Sequence, residues 1–273
     1  MLKSLEELDW GEPILPKIEN RDWEVKVKKQ MGVVPDLLTR VSTSEWLRGL
    51  LLNAFKTPSQ QIPRHLLDIA TLVCAQENAC RFCYGIARTQ LRLFGYSKKM
   101  ISAIEQDMLM AELDQRDRTF IRFCRNLARS NPRPPKKERD KLLKLGFTSP
   151  QVTEMAFHIA RECFVNRMVT FISSPPMHEF ERLSDSLFGR LFRPIIARKL
   201  RAGGYVANKP MVVLDGPFFQ VMNALSGIPA AAIFQDGVQG AFASDILSKE
   251  AKGFNVCSSC KVAELRILRK CYL

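Results

Sequence analysis

LDIATLVCAQENACRFCYGIARTQLRLFGYS, residues 67–97, sets the architecture of this chain. Its first part belongs to HLLDIATLVCAQ, a run apolar almost all round, which predicts a helix buried on every side. Pro63 suits the first turn of that helix. A second helix starts near Cys80 and stops at Gly95. Cys80 and Cys83 form a C-x-x-C pair at that start, where residues i and i+3 share one face and a disulfide needs little distortion. Free N–H groups and the helix dipole favour thiolate there, and Arg81 and Arg88 add positive charge. Ala87, Leu91 and Phe94 extend the face as an apolar floor. Asp68 lies twelve positions before Cys80 in the apolar helix. A carboxylate buried there either relays protons for the thiols or pairs with an arginine such as Arg167. Glu77 is a more exposed alternative acid.

Helical patterns continue on both sides. They fall at 43–55, about 97–111, 114–130, 136–145 and 149–172, the last opened by Ser149-Pro150 and closed by Pro175 and Pro176, and then at 177–192. Residues 1–40, with Pro13, Pro16 and Pro35, read as an irregular N-terminal arm with at most short helices. RPIIARKLRAGGYVANKP reads as a basic helix end and linker, and 210–216 as a short strand. The expected organisation is an all-α protein with an arm (1–40), a helical domain (41–203) and a C-terminal segment (204–273). Setting Cys80 against Cys257 aligns 66–96 with 243–273 at seven identical positions of 31, including Asp68 with Asp245 and Cys83 with Cys260. On this reading the C-terminal segment is a diverged copy of the first C-x-x-C hairpin.

The 273 residues suffice for a sizeable core, and 46% hydrophobic content is too apolar for a disordered chain. No apolar run reaches the ~20 residues of a membrane-spanning helix. MLKSLEELDWGEP has acids where a signal peptide needs an apolar stretch, so a cytoplasmic location is expected. Reduced cysteines suit that compartment. A zinc site would need four ligands, which Cys80, Cys83, Cys257 and Cys260 could supply; their expected helical placement argues against it. Cys74, Cys124 and Cys163 read as core residues, and His65 and His178 as surface ones. His158 is either a satisfied core histidine or a proton relay. The net charge of +13 gathers in two clusters, Arg133 to Lys144 and Arg190 to Arg201. These read as solvated faces or docking charge, and no nucleic-acid motif accompanies them.

The quoted stretch resembles the carboxymuconolactone decarboxylase-like superfamily, in its AhpD-like alkylhydroperoxidase branch, marked by Glu-x11-Cys-x-x-Cys-x3-His. Asp68 takes the acid position and Cys80 and Cys83 the thiols, whereas Ala87 replaces the histidine. EMAFHIARECFVNRMVTFISSPP is similar to the closing helix of these domains, with Asn166-Arg167 as its Asn-Arg pair. The resemblance covers roughly 40–180. It implies an all-helical, homo-oligomeric protein of peroxiredoxin-type activity, in which Cys83 attacks a small hydroperoxide and Cys80 donates a proton and resolves the sulfenic acid. The dipole argument instead favours ionisation of Cys80. Candidate catalytic residues are therefore Cys80, Cys83, Asp68, Glu77 and His158. No metal or organic cofactor is implied, because sulfur carries the electrons, and a thiol reductant or small redox protein must recycle the disulfide. The alternatives are a scaffold that has lost catalysis with Ala87, a lactone decarboxylase and a nucleic-acid-binding module.

Overall fold

A computed structural model describes residues 5, 12–41, 43–54, 61–106, 113–129, 136–202, 223 and 225–243. All regular structure among them is helical, as the patterning predicts. The helices are α1 (Arg21–Met31), α2 (Asp36–Arg40), α3 (Glu45–Ala54), α4 (Arg64–Glu77), α5 (Arg81–Leu93), α6 (Lys98–Gln106), α7 (Gln115–Arg129), α8 (Lys136–Lys144), α9 (Ser149–Ile172), α10 (His178–Leu183), α11 (Leu187–Leu191), α12 (Arg193–Ala202) and α13 (Pro229–Ala243).

Two apolar cores meet at the start of α5. In the larger, α4 packs against α5, α7 and α9, burying Ile69, Leu72 and Val73 with Leu91, Phe120, Ile121, Met155 and Ile159. The apolar girth of α4 demands this central place: a helix without a polar face finds enough cover only among several neighbours. The 24-residue α9 runs past both cores. Its start is fixed by Pro150 and by a capping box in which Thr148 and Gln151 exchange side-chain and backbone hydrogen bonds.

The smaller core joins α1, α2 and α3 to the far half of α9, through Trp23, Val27, Leu37, Leu38, Leu51, Val165, Val169 and Ile172. More helix precedes residue 41 than its prolines suggest. α1 is a full three turns, capped by the Asn20 side chain and stopped by Gly32 at φ 79°, and it buries only Trp23 and Val27. One apolar residue per turn on a charged helix gives a faint periodic signal. Tertiary contact supplies what the pattern lacks: the Trp23 indole donates to the Leu38 carbonyl at 2.8 Å.

Two other stretches depart from expectation. In place of one helix over 177–192 there are α10 and α11, parted at Ser184–Ser186, where the Ser186 hydroxyl caps the Gly189 N–H. The stretch read as a basic helix end and linker forms α12 as far as Ala202. Here Leu187, Phe188, Leu191, Phe192 and Ile195 are exposed beside Arg190, Arg193, Arg198 and Lys199.

Beyond the weak pattern after residue 205, α13 packs closely on α3. A Cβ on Gly237 would press on Leu50 and one on Gly240 on Trp46, so these glycines permit the approach. The expected strand at 210–216 and the repeat unit with Cys257 and Cys260 lie outside the described residues. Among the described residues, no helix is long and apolar enough to cross a membrane.

Candidate active site

The turn between α4 and α5 places the first thiol. Asn78 ends α4, and Ala79 adopts φ 51°, the left-handed region where a residue other than glycine is strained. The Ala79 N–H then donates to Gln76 and the Cys80 N–H to Ala75, at 3.1 and 2.9 Å, which satisfies the open carbonyls at the end of α4. The Asn78 amide adds a bond to the Cys74 carbonyl at 2.8 Å. The chain thus leaves α4 in a fixed direction, and Cys80 becomes the residue immediately before α5. Cys80 is fully buried in the smaller core, whereas Cys83 is half-buried and touches both cores.

The two sulfurs are unbridged. Burial by itself would raise the pKa of Cys80, but the S–H and N–H of Cys83 face its sulfur, and the Thr170 hydroxyl adds to them; together they hold Cys80 below the usual thiol value. The contact is looser than a conventional side-chain helix cap, which Cys80 does not form. Cys83 moves the opposite way. As donor to Cys80 it is pushed well up, with burial and the charges of Cys80 and Glu162 acting in the same sense. Of the two sulfurs, Cys80 is therefore the readier to ionise and Cys83 the firmer holder of its proton. A crevice beside Cys80, lined by Phe82, Val169, Thr170 and Ser174, has no room for a water-sized molecule.

The expected positive charge is otherwise engaged. The buried Arg81 guanidinium makes a two-pronged pair with Glu181 of α10, at 2.7 and 2.9 Å, and Arg88 pairs with Glu105 at 3.0 Å. These arginines line a cleft on another face of α5, together with Gly85, Arg92 and His178. A Cβ on Gly85 would run into the Glu181 carboxylate, so any larger residue there would have to displace the Arg81–Glu181 pair. The thiolate preference rests on the helix start and on Cys83.

The remaining candidates fall in three places. Asp68, with a largely buried side chain, pairs with Arg64 one turn back on α4 at 3.0 Å. Glu77 is held by the buried Arg125 at 2.7 Å and by Arg129, which tie α4 to α7. Ala87 is buried in the larger core.

His158 stands one turn before Glu162 on α9, with its Nε2 4.0 Å from the carboxylate. The Arg161 guanidinium bridges them, 2.8 Å from His158 Nδ1 and 2.8 Å from Glu162 Oε1. Burial first, and then the Arg161 charge, lower the His158 pKa well below the ordinary value, so the ring stays neutral.

Glu162 is the acid that reaches the sulfurs. Its charge acts on Cys80 and Cys83, and on Cys74 and Cys163 as well. Sequence reasoning missed it because it stands far along the chain. The available signal was an acid in the middle of a helix with little polar face, one turn after a histidine. Among the described residues, no group of three or more His, Cys, Asp or Glu is arranged to hold a metal ion. The four-sulfur zinc alternative involves Cys257 and Cys260, outside the described residues.

No protein-family model matches the chain. No curated protein matches it either. Solved structures do. An uncharacterized peroxidase-related protein from Ralstonia eutropha JMP134, described as an alkylhydroperoxidase AhpD core, superposes with a TM-score of 0.53 at 17% identity, over 61% of this chain and 89% of its own. An uncharacterized peroxidase-related protein from Silicibacter sp. TM1040 gives a TM-score of 0.50 at 17% identity, over 64% of this chain and 97% of its own. Identity this low carries architecture and not chemistry. The chain has the AhpD-like helical fold.

Proposed function

We propose that this protein is a thiol-dependent oxidoreductase that reduces hydroperoxides through Cys80 and Cys83. The observation that carries the reading is the facing pair at the start of α5: Cys83 donates to the Cys80 sulfur, and the Cys80 pKa is lowered. The dipole argument and the resemblance then describe two moments of one cycle. At rest Cys80 is the sulfur that ionises more readily. Passing the Cys83 proton to Cys80 makes Cys83 the nucleophile. Its sulfur attacks the distal peroxide oxygen, the O–O bond breaks, and the leaving alkoxide takes the proton from Cys80 to become an alcohol. The Cys80 thiolate then attacks the Cys83 sulfenic sulfur and expels hydroxide, which is protonated to water as the disulfide forms. An external dithiol, a small thiol or a small redox protein, returns two electrons.

In this reading Glu162, whose charge acts on both thiols, is the acid of the site, and Arg161 links it to His158. Asp68 and Glu77, each held by arginine, act on the site by fixing α4. The cations of α11 and α12 offer docking charge for an acidic redox protein. A cytoplasmic setting, which keeps thiols reduced, and a homo-oligomeric assembly complete the proposal.

The closed crevice at Cys80 and the buried Ala87 favour a second reading, a helical scaffold or binding protein without turnover. One experiment separates the two. Peroxide consumption by the reduced protein with a dithiol reductant is compared with that of Cys80→Ser and Cys83→Ser, alongside mass spectrometry of the 80–83 peptide. The oxidoreductase requires a fall on the order of 100-fold or more in both variants and an 80–83 disulfide in the oxidised parent. Absence of turnover with both thiols reduced leaves the scaffold.

A further inference from the structure

A second pair of thiols lies across α4 and α9. The Cys163 sulfur is half-buried and accepts a hydrogen bond from Asn78 Nδ2 at 3.2 Å. That amide is fixed, because it also donates to the Cys74 carbonyl at the end of α4. The fully buried Cys74 thiol donates to the Cys163 sulfur, and the Arg167 cation stands one turn further along α9. These donors surround one sulfur and leave the other as the proton holder, the same division found at Cys80 and Cys83.

We propose that Cys163 and Cys74 form a second redox-active dithiol, which hydroperoxides oxidise to a disulfide bridging α4 and α9. The chemistry balances without a cofactor. The Cys163 thiolate attacks the distal oxygen of a hydroperoxide, the O–O bond breaks, and the departing alkoxide takes a proton from solvent. The resulting Cys163 sulfenic acid is attacked by the Cys74 sulfur. The S–O bond breaks, an S–S bond forms, and the expelled hydroxide leaves with the Cys74 proton as water. Two thiols supply the two electrons that the peroxide consumes.

The electrostatics agree with this geometry. The Cys74 S–H, against the opposing cost of burial and aided by Asn78 and Arg167, brings Cys163 down to about 7 even though the Glu162 charge acts the other way. Cys74 is pushed well up by its bond to Cys163 and by burial. Cys124 of α7, the third thiol near this point, is also pushed well up, chiefly by burial. Near neutral pH, therefore, Cys163 is the thiol of the three that ionises, and the enclosed ones keep their protons. The core assignment of Cys74 and Cys124 from sequence stands on their burial, but Cys163 is poised for chemistry.

The test uses the full chain with Cys80→Ser and Cys83→Ser combined, so that its result is independent of the activity proposed for that pair. Hydrogen peroxide is added near pH 7, free thiols are blocked, and peptides are mapped. The expected product is a 74–163 disulfide. Adding Cys74→Ser replaces it with a sulfenic acid on Cys163 that dimedone traps. Alkylation of Cys163 by iodoacetamide, followed against pH, has its midpoint near 7, about 1.5 units below an ordinary thiol, and Asn78→Ala moves it upward. Two results overturn the proposal: Cys163 remaining reduced with an ordinary alkylation midpoint, or Cys163 accumulating sulfinic acid while Cys74 stays unpaired.

Discussion

The two thiol pairs divide the labour of placement differently. Cys80 and Cys83 are neighbours on one helical turn, so any chain that starts a helix there brings them together. Cys74 and Cys163 sit on different helices and meet only because α4 packs against α9. Both pairs arrive at one sulfur favoured as thiolate and one holding the proton, and Glu162 acts on all four. A local pair depends on secondary structure, whereas a pair across helices depends on the whole core. Perturbing the packing should therefore separate them.

The largest effect is expected from Arg125→Ala. Arg125 is buried against Glu77 and also bonds the Ile104 carbonyl, so its loss leaves a carboxylate with only the half-exposed Arg129. Breaking such a pair costs about 3 kcal/mol, readable from denaturant unfolding. Alkylation of Cys74 should rise through loosened packing of α4, while the Cys80 and Cys83 profiles change less. Equal changes in both pairs would remove the distinction between local and tertiary placement.

Acid comes next. His158 has a native pKa well below its unfolded value near 6.5, because burial and Arg161 oppose its charge. Above pH 6.5 the ring is neutral in both states and contributes no slope. As pH falls below 6.5 the unfolded chain takes up a proton that the native protein refuses, so stability falls by up to about 1.4 kcal/mol per pH unit until the native pKa is reached. His158→Gln should flatten this slope between roughly pH 6.5 and 5. An unchanged slope would show that the ring takes up its proton as readily folded as unfolded, and that it is no part of a buried network with Glu162.

A smaller and more diagnostic change is Glu162→Gln. The carboxylate raises thiol pKa values in both pairs, so its neutral isostere should shift the alkylation profiles of Cys80 and Cys163 to lower pH and raise their rates at neutrality a few-fold. A shift at one pair alone would show that Glu162 serves that pair and not both. The smallest effect is expected at the turn. Ala79→Gly relieves the left-handed strain at φ 51° but frees the unfolded chain, for a net stabilisation below about 1 kcal/mol in thermal unfolding. The Cys80 profile should broaden with it if the strain serves to hold that sulfur in place.

How much was legible in the sequence differs element by element. α9 was readable to its ends, because Pro150 opens it and its apolar pattern is long. The start of α5 was readable too, since Cys80, the turn before it and the stop at Gly95 are all local. α1 was not, because two buried residues on a charged helix leave little periodicity. The break between α10 and α11 turns on one serine hydroxyl capping Gly189, below the resolution of apolar spacing. At the site, Cys80 and Cys83 were named correctly as neighbours, whereas Glu162, Asn78 and Cys163 could not be linked to them. Asp68 matched a motif by spacing, yet spacing along a helix does not say which cation stands opposite, and Arg64 one turn away takes its charge.

The sequence alone therefore determined the helical class, the burial of α4 and the thiol pair at the head of α5, since all three follow from residue type and the 3.6-residue period. Tertiary structure decided which sulfur ionises more readily, which acid's charge acts on the thiols, which carboxylates engage Arg81 and Arg88, and that Cys74 meets Cys163. Burial, charge pairing and hydrogen bonds between helices depend on which surfaces meet, and a period read along one helix does not specify its neighbour.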